Sequence, residues 1–320
     1  MSFIEVKDLK VHYPIRGGFF NKVIDHVYAV DGVSLTIEEG KTYGLVGESG
    51  SGKSTIGKAI IGLEKIKSGK IIYEGKEIDG KFRNRRSEYN RNVQMIFQDS
   101  LSSLNPKKRV IDLISEPLRN FENLTSDEEK RKVSELLEIV GMNREDIYKY
   151  PHEFSGGQRQ RLGIARAVAT KPKLIIADEP VSALDLSVQA QVLNYMKDIQ
   201  EQFGLSYLFI SHDLGVVKHM CDYMFIMYRG RFVETGTKND IYKNPEHFYT
   251  KRLIAAIPEV HPERRLENKK RRLEIEKEYL KNEKKYYDEN GRIFDLKKLT
   301  DTHFVAIKDE IMQNNGKGGK

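Results

Sequence analysis

A glycine-rich stretch lies between a short apolar run and a helical pattern, and it limits the folds open to the chain. Residues 47–54 read GESGSGKS and match the spacing G-x-x-x-x-G-K-[ST]. The run TYGLVG before them predicts a buried strand, and IGKAIIGL after them predicts a helix. Glycines in such a turn let backbone N–H groups wrap around phosphate at the start of the helix. The flanking strand and helix favour this phosphate-binding loop over its alternative, a chance glycine-rich turn.

The loop also supplies candidate residues for a nucleoside triphosphate and a magnesium ion. Lys53 is predicted to reach the β- and γ-phosphates, and the Ser54 hydroxyl to ligate Mg²⁺. The residues predicted to bind nucleotide here are Gly47, Glu48, Ser49, Gly50, Ser51, Gly52, Lys53, Ser54 and Thr55.

A second candidate element is the apolar run LIIADEP at residues 174–180. Such a run predicts a central parallel strand, and Asp178 would stand at its carboxyl end, where open α/β sheets bind ligands. Asp178 is predicted to hold Mg²⁺ through water, and Glu179 to orient or deprotonate an attacking water molecule. The alternative is a strand end capped by acidic residues. The phosphate-binding loop in the same chain favours the functional interpretation.

Strands alternate with helices along much of the chain, which predicts an α/β fold with a largely parallel sheet. A helical pattern at about 99–165 interrupts the alternation and predicts an inserted helical subdomain, in which Thr125 and Glu128 form a capping box. Residues 3–11 predict an edge strand, residues 14–29 a loop, and the chain from about Lys238 a polar helical region.

Composition limits the class of protein. The net charge of +7 indicates an anionic partner, which could be nucleotide, nucleic acid or lipid headgroups. Cys221 is the single cysteine, which excludes a disulfide framework and a cysteine-rich metal site within one chain. The apolar runs are far shorter than the roughly 20 residues of a membrane-spanning helix. No signal-peptide pattern opens the chain. We therefore expect a cytosolic protein, or one held at a membrane by other subunits.

The stretch FSGGQRQR at residues 154–161 has the outline of a second anion site. Two glycines at the start of a predicted helix leave backbone N–H groups available, and Arg159 and Arg161 add positive charge. The alternative is a glycine-opened helix terminus with solvated arginines.

These motifs together resemble the ATP-binding cassette (ABC) ATPases. The resemblance is carried by GESGSGKST, Gln98 in MIFQDS, FSGGQRQR, LIIADEP, SALD at 182–185 and SHD at 211–213, in the family's order over nearly all of residues 1–240. It implies ATP and Mg²⁺ as cofactors. The fold class it implies is α/β: a P-loop NTPase sheet with an inserted helical subdomain and a small antiparallel β subdomain, plus a helical C-terminal extension.

The resemblance also implies roles for single residues. Gln98 resembles the glutamine that touches Mg²⁺ and senses the membrane subunits, and His212 the histidine that contacts the γ-phosphate. Asp185 resembles the residue that signals across a dimer, and Tyr13 the aromatic residue that stacks on adenine, with Tyr28 as its competitor. The implied catalytic set is Glu179, His212, Gln98 and Lys53, and the implied metal ligands are Ser54, Gln98 and Asp178.

Each role has a plain structural alternative. Gln98 could cap a strand end, His212 could cap the following helix, and Asp185 could be an ordinary carboxylate at a helix N-terminus.

In the family two cassettes dimerise head to tail, and each binds the other's nucleotide through its SGGQ sequence. The resemblance therefore assigns Ser155, Gly156, Gly157 and Gln158 to the ATP of a partner cassette. A chain of this kind is expected to hydrolyse ATP poorly without the second cassette.

Four segments are similar to the second ATPase subunit of oligopeptide permeases: the loop PIRGGFF at 14–20, QDSLSSLNP, YPHEFSGGQRQRLGIARA and the tail segment at 245–265. This narrower resemblance implies a peptide importer, with dipeptides, nickel or another small solute as alternative substrates. It divides the chain into a cassette domain at 1–240 and a mostly helical extension at 241–320.

The implied partners are a second, non-identical ABC ATPase subunit, two integral-membrane permease subunits and an extracytoplasmic substrate-binding protein. The implied location is the cytoplasmic face of the cell membrane. A role of another class, a non-transport ABC ATPase acting on nucleic acid, is disfavoured by the single cassette and the short tail, so no nucleic-acid partner is expected.

Overall fold

The computed structural model describes residues 2–18, 20–78, 88–99, 103–257, 265–282 and 285–308. Parts of three segments singled out above, at 19, 100–102 and 258–264, lie outside the described residues. Among the helices it describes, none is both long and apolar enough to cross a membrane. The chain forms two compact units. The first comprises Met1–Leu9, Ser34–Thr42 and Ser54–Ile210, and the second comprises Lys10–Val33, Tyr43–Lys53 and Ser211–Lys320.

The centre of the first unit is a run of parallel strands. Strand β6 (Val93–Ile96) pairs in parallel with β7 (Leu174–Asp178), and β7 pairs in parallel with β8 (Ser206–Ser211). All residues of β7 and β8 are buried, as expected for strands covered on both faces. The prediction of a parallel α/β sheet is confirmed.

A four-stranded sheet has the order β2-β1-β4-β5, in which β1 is Ser2–Gly17, β2 is Lys22–Glu38, β4 is Ser68–Tyr73 and β5 is Lys76–Glu77. The prediction that residues 3–11 form an edge strand is wrong, because β1 lies between two other strands. Alternating burial shows which face of a strand is covered and carries no information about pairing at its two sides.

The predicted loop at 14–29 is also wrong in large part. Strand β1 continues to Gly17, and β2 starts at Lys22. Six of the eight residues at 22–29 are exposed, so this part of β2 lacks the periodic burial from which a strand is recognised.

The helices of the first unit account for the helical pattern seen in the sequence. They are α1 (Lys53–Ile60), α2 (Glu88–Asn92), α3 (Val110–Phe121), α4 (Ser126–Ile139), α5 (Gly156–Val168) and α6 (Leu186–Phe203). Two short 3-10 helices, Arg144–Tyr148 and Pro151–Glu153, separate α4 from α5. The predicted capping box is confirmed: the Thr125 N–H donates to Glu128 Oε2 at 2.8 Å, and the Glu128 N–H donates to Thr125 Oγ1 at 3.4 Å.

In the second unit, β3 (Thr42–Val46) pairs in parallel with β9 (Tyr223–Tyr228), which forms a hairpin with β10 (Arg231–Thr237). The helices are α7 (Leu214–Met220), α8 (Lys238–Lys243), α9 (Phe248–Ala256) and α10 (Arg265–Asn282).

The C-terminal region contains two strands in addition to the expected helices. Strand β12 (Phe304–Ala306) pairs antiparallel with β10, and β11 (Leu296–Lys298) pairs antiparallel with β12. Each has only three residues, too few for a period-two pattern to be recognised in the sequence.

Candidate functional site

The loop between β3 and α1 has backbone requirements that only glycine meets. A Cβ atom added to Gly47 would lie 2.1 Å from the carbonyl oxygen of Met227. One added to Gly52 would lie 2.0 Å from the carbonyl oxygen of Ala29, and Gly52 has φ of +107°. Gly50 has φ of +79°, where a Cβ is also unfavourable. The glycines predicted from the motif are therefore required by the conformation of the loop.

The Lys53 side chain folds back across this loop. It is 4% exposed, and its Nζ donates hydrogen bonds to the carbonyl oxygens of Gly47 and Glu48, each at 2.8 Å. A buried ammonium group is costly unless charge or dipoles surround it. Held in this place, it can attract an anion to the loop.

Ser51 occupies the middle of the loop. Its carbonyl oxygen accepts a hydrogen bond from the Gly230 N–H at 3.0 Å, and the Gly230 carbonyl accepts one from the Asp31 N–H at 2.9 Å. The Ser51 hydroxyl is buried and has no hydrogen-bond partner among the described residues. The buried ammonium of Lys53 and the unsatisfied hydroxyl of Ser51, on a glycine-rich loop, are suited to binding the oxygens of a polyphosphate.

Ser54 and Asp178 form a contact within the first unit. The Ser54 hydroxyl donates to Asp178 Oδ1 at 2.7 Å, and Asp178 is 3% exposed at the end of β7. Hydroxyl and carboxylate oxygens are hard ligands of the kind that Mg²⁺ prefers, and Mg²⁺ usually takes one or two protein ligands together with substrate phosphates. The donor set therefore fits the predicted metal ion.

Gln98 and Glu179 meet at the same edge of the parallel strands. They follow β6 and β7, whose ends pair at Ile96 and Ala177. Gln98 Nε2 donates to Glu179 Oε2 at 3.0 Å. The structure thus brings together two of the four predicted catalytic residues.

Glu179 has an unusual backbone. Its φ is +47°, a conformation that non-glycine residues rarely adopt, and its N–H donates to the Ile210 carbonyl at 2.9 Å. Strain of this kind persists where surrounding contacts enforce it and is frequent at functional sites. The residue with this backbone is the one whose carboxylate accepts the hydrogen bond from Gln98.

His212 is exposed and follows directly after β8. The helix that comes next is capped by Asp213, whose Oδ1 accepts a hydrogen bond from the Gly215 N–H at 2.7 Å. The cap of that helix is therefore Asp213 and not His212, and the role of His212 at the γ-phosphate stays a prediction.

Ser155 to Gln158 form the start of α5. Ser155 is the N-cap, and a capping box joins it to Gln158: the Ser155 N–H donates to Gln158 Oε1 at 2.9 Å, and the Gln158 N–H donates to Ser155 Oγ at 3.3 Å. A Cβ on Gly157 would lie 2.5 Å from Val188 Cγ1, whereas one on Gly156 would make only an ordinary contact among the described residues, with Leu184 Cδ2 at 4.0 Å. Gly157 serves helix packing, and a side chain at Gly156 is sterically tolerated.

The arginines of this stretch bind groups of their own unit. Arg159 donates to the Phe154 carbonyl at 2.5 Å, and Arg161 donates to the Gly141 carbonyl and to Gln191 Oε1, both at 3.2 Å. The Arg161 guanidinium also stacks on Tyr195. They support α5 structurally.

Asp185 is the N-cap of α6. Its Oδ1 accepts hydrogen bonds from the Ser187 hydroxyl at 2.7 Å and from the Val188 N–H at 3.0 Å. These bonds, the hydroxyl first, lower the pKa of Asp185. The carboxylate at a helix N-terminus, given above as the structural alternative, is what the geometry shows.

The two candidates for adenine stacking both lie on the hairpin of β1 and β2. Tyr13 is 37% exposed and Tyr28 is 55% exposed, and the Tyr28 ring packs edge-on against His12 at 4.6 Å. Ala29, which contacts Gly52, is the neighbour of Tyr28 in sequence. Tyr13 stays the predicted adenine-stacking residue. Tyr28 stays its competitor, because the backbone of the next residue, Ala29, contacts the phosphate-binding loop.

A contact that the sequence did not indicate reaches the phosphate-binding loop from α9. The Glu48 N–H donates to the Tyr249 hydroxyl at 2.8 Å. Tyr249 lies in the tail segment that resembles peptide transporters, but no local pattern assigns it to the loop, because 201 positions separate the two residues.

Two family models match the chain. The model described as "ABC transporter" matches residues 30–182, which contain the phosphate-binding loop, Asp178 and Glu179. The model described as "Oligopeptide/dipeptide transporter, C-terminal region" matches residues 233–289, which contain Tyr249.

Curated relatives align over most of the chain. The oligopeptide transport ATP-binding protein OppF of Lactococcus lactis is 58% identical over 306 residues, which cover 96% of each protein. OppF of Bacillus subtilis is 49% identical and covers 82% of this chain and 84% of its own length. The dipeptide transport ATP-binding protein DppF of Escherichia coli is 45% identical, with 83% and 80% covered.

Solved structures agree with the fold. A dimeric post-hydrolysis state of the ATP-binding cassette MJ0796, bound to ADP and Pi, has a TM-score of 0.64 at 25% identity and covers 73% of this chain and 98% of its own. CbiO1 of Clostridium perfringens, part of an ABC transporter complex, has the same TM-score and identity and covers 79% and 96%. The sequence match over nearly the whole length, together with this fold, shows that the chain belongs to the ABC transporter ATPase family.

Proposed function

We propose that this chain is the ATP-binding and ATP-hydrolysing subunit of a binding-protein-dependent importer of oligopeptides. The observation that carries the proposal is the 58% identity over 96% of the chain to an oligopeptide transport ATP-binding protein. Dipeptides, nickel or another small solute are the alternative substrates, since a dipeptide transport protein also aligns at 45% identity.

The side chains divide the work of phosphoryl transfer to water. Lys53 and the backbone amides of the loop bind the phosphates, and Ser54, Asp178 and Gln98 would hold Mg²⁺, which neutralises phosphate charge when bound. Glu179 orients the attacking water or takes its proton, and Gln98 positions the Glu179 carboxylate. His212 contacts the γ-phosphate.

Hydrolysis also requires a group on the far side of the γ-phosphate. We assign that role to the Ser155 hydroxyl, the N–H groups of Gly156 and Gly157 and the first turn of α5, acting on the nucleotide of a partner cassette. The exposure of Ser155 at the N-cap of α5 supports this assignment.

The proposed complex contains a second, non-identical ABC ATPase, two integral-membrane subunits and an extracytoplasmic binding protein. This chain would then lie at the cytoplasmic face of the membrane, with a cassette at 1–240 and a peptide-transporter extension at 241–320. The match of the C-terminal family model to residues 233–289 supports that division.

Purification from native membranes tests the complex. The tagged full-length chain is expected to bring down integral-membrane subunits and a second ATPase, identified by mass spectrometry. Recovery of nucleic acid and no integral-membrane protein would favour the nucleic-acid alternative and contradict the transport proposal.

A negative charge introduced at the start of α5 tests whether this helix terminus binds the nucleotide of the partner cassette. Gly156→Asp is favourable for the helix, because an acidic residue in the first turn stabilises it. We expect the isolated chain to bind ATP as the wild type does, whereas hydrolysis by the assembled complex falls by about 100-fold, the scale of losing one transition-state donor. Phosphate release and ATP titration measure the two effects.

Ser126→Asp is the matched control, since Ser126 is the exposed first residue of α4. It adds the same charge at another helix terminus and is expected to leave hydrolysis unchanged. A Gly156→Asp complex that hydrolyses ATP at the wild-type rate would contradict the assignment.

A further inference from the structure

The C-terminal region makes a direct hydrogen bond to the phosphate-binding loop. Tyr249, the second residue of α9, is fully buried, at 0% exposed. Its hydroxyl oxygen accepts the hydrogen bond from the Glu48 N–H at 2.8 Å. Burial raises the pKa of Tyr249, so the hydroxyl stays neutral.

The peptide group bound by Tyr249 is the one that holds Lys53. The carbonyl of Gly47 and the N–H of Glu48 belong to a single peptide bond, which is planar, so fixing its N–H also fixes its C=O. That carbonyl accepts a hydrogen bond from Lys53 Nζ at 2.8 Å. Tyr249 and Lys53 therefore act on opposite sides of one rigid group.

Tyr249 is itself held in place. Its ring packs on Tyr228 with 4.4 Å between centroids, and its N–H donates to His247 Nδ1 at 3.2 Å. The His247 N–H in turn donates to Glu234 Oε2 at 3.0 Å, and Glu234 is fully buried. The hydroxyl is presented to the loop by a fixed scaffold, as a positioning group requires.

We propose that Tyr249 is a positioning residue that sets the orientation of the Lys53 ammonium through the Gly47–Glu48 peptide. The inference rests on the proposed ATP site. It gives the C-terminal extension a part in nucleotide binding.

Tyr249→Phe in the full-length chain tests the inference, because it removes the hydroxyl and keeps the ring. We expect the Kd for ATP to rise about five-fold, the range of one hydrogen bond, with little change in thermal stability. Equilibrium titration with ATP measures the effect. Tyr242→Phe is the matched control: its hydroxyl donates to the Leu214 carbonyl in the same region, and its loss is expected to leave the Kd unchanged.

A double-mutant cycle separates positioning from a general structural effect. If Tyr249 acts through Lys53, Tyr249→Phe will not weaken ATP binding further in a Lys53→Ala background. Equal effects in both backgrounds would contradict the inference.

Hydrogen exchange of the wild-type protein gives a reading that does not depend on how the variant folds. The Glu48 amide is expected to be protected, and rapid exchange would contradict the inference. A wild-type chain that binds no ATP would overturn the proposed function itself. Wild-type binding matched by Tyr249→Phe would overturn only the role of Tyr249.

Discussion

Glu179→Gln is expected to reduce ATP hydrolysis by the assembled complex by at least about 100-fold, within the range attributed to a positioned general base. ATP binding is expected to persist, because glutamine keeps the size of the side chain. Its amide oxygen can still accept the hydrogen bond that Gln98 Nε2 donates to Glu179 Oε2 at 3.0 Å in the wild type. Phosphate release at saturating ATP measures the first effect, and ATP titration measures the second.

Glu138→Gln is a suitable control for this variant. Glu138 pairs with Arg144 on the exposed surface of α4, so its neutralisation removes a carboxylate of the first unit outside the site. Exposed ion pairs contribute little to stability, and hydrolysis should stay unchanged. A Glu179→Gln complex that turns over near the wild-type rate would show that another group activates the water.

Gly47→Ala is expected to weaken ATP binding by about 100-fold, since the added methyl group forces the loop out of its conformation. The clash is with backbone, because the new Cβ would lie 2.1 Å from the Met227 carbonyl oxygen. Calorimetric titration of the full-length chain with ATP measures the loss.

Gly163→Ala makes the same chemical change at a position where, apart from its own helix, no atom of the described residues lies within 4 Å of the added Cβ. In the interior of α5 it should stabilise the fold slightly and leave ATP binding unchanged. Wild-type affinity in Gly47→Ala would mean that the loop tolerates a side chain at this position, contrary to the geometry described above.

The local part of the site could be predicted from the sequence. A buried strand, a glycine-rich turn and a helix follow one another within residues 42–60, and the structure forms them in that order. The same holds for β7 and its terminal Asp178. These elements could be predicted because their burial pattern and their turn residues lie close together in the sequence.

The parts that depend on distant pairing could not be predicted. The sequence predicts an edge position for β1, because periodicity does not specify which strands pair, whereas β1 lies between β2 and β4. Strands β11 and β12 have three residues each, too few for a period-two pattern. The contact of Tyr249 with Glu48 joins residues 201 positions apart. Tyr249 and Glu48 come together only when the second unit folds.

The sequence also does not specify what the arginine side chains at the start of α5 bind. The sequence presents two arginines beside a glycine-opened helix, a pattern that suggests an anion site. In the structure Arg159 and Arg161 bind carbonyl oxygens of the same unit, which leaves the helix terminus itself as the candidate anion site. The sequence shows that positive charge is present, whereas the structure shows which groups the arginines bind.

The most direct test of the proposed function is peptide uptake by the reconstituted complex. Proteoliposomes would contain this chain, its partner ATPase, the membrane subunits and the binding protein, with ATP on the side that bears the ATPases. We predict that labelled oligopeptide crosses the membrane only with ATP and that Glu179→Gln in this chain abolishes the uptake. Uptake without ATP, or ATP hydrolysis with no movement of peptide, would contradict the proposed role as an importer ATPase.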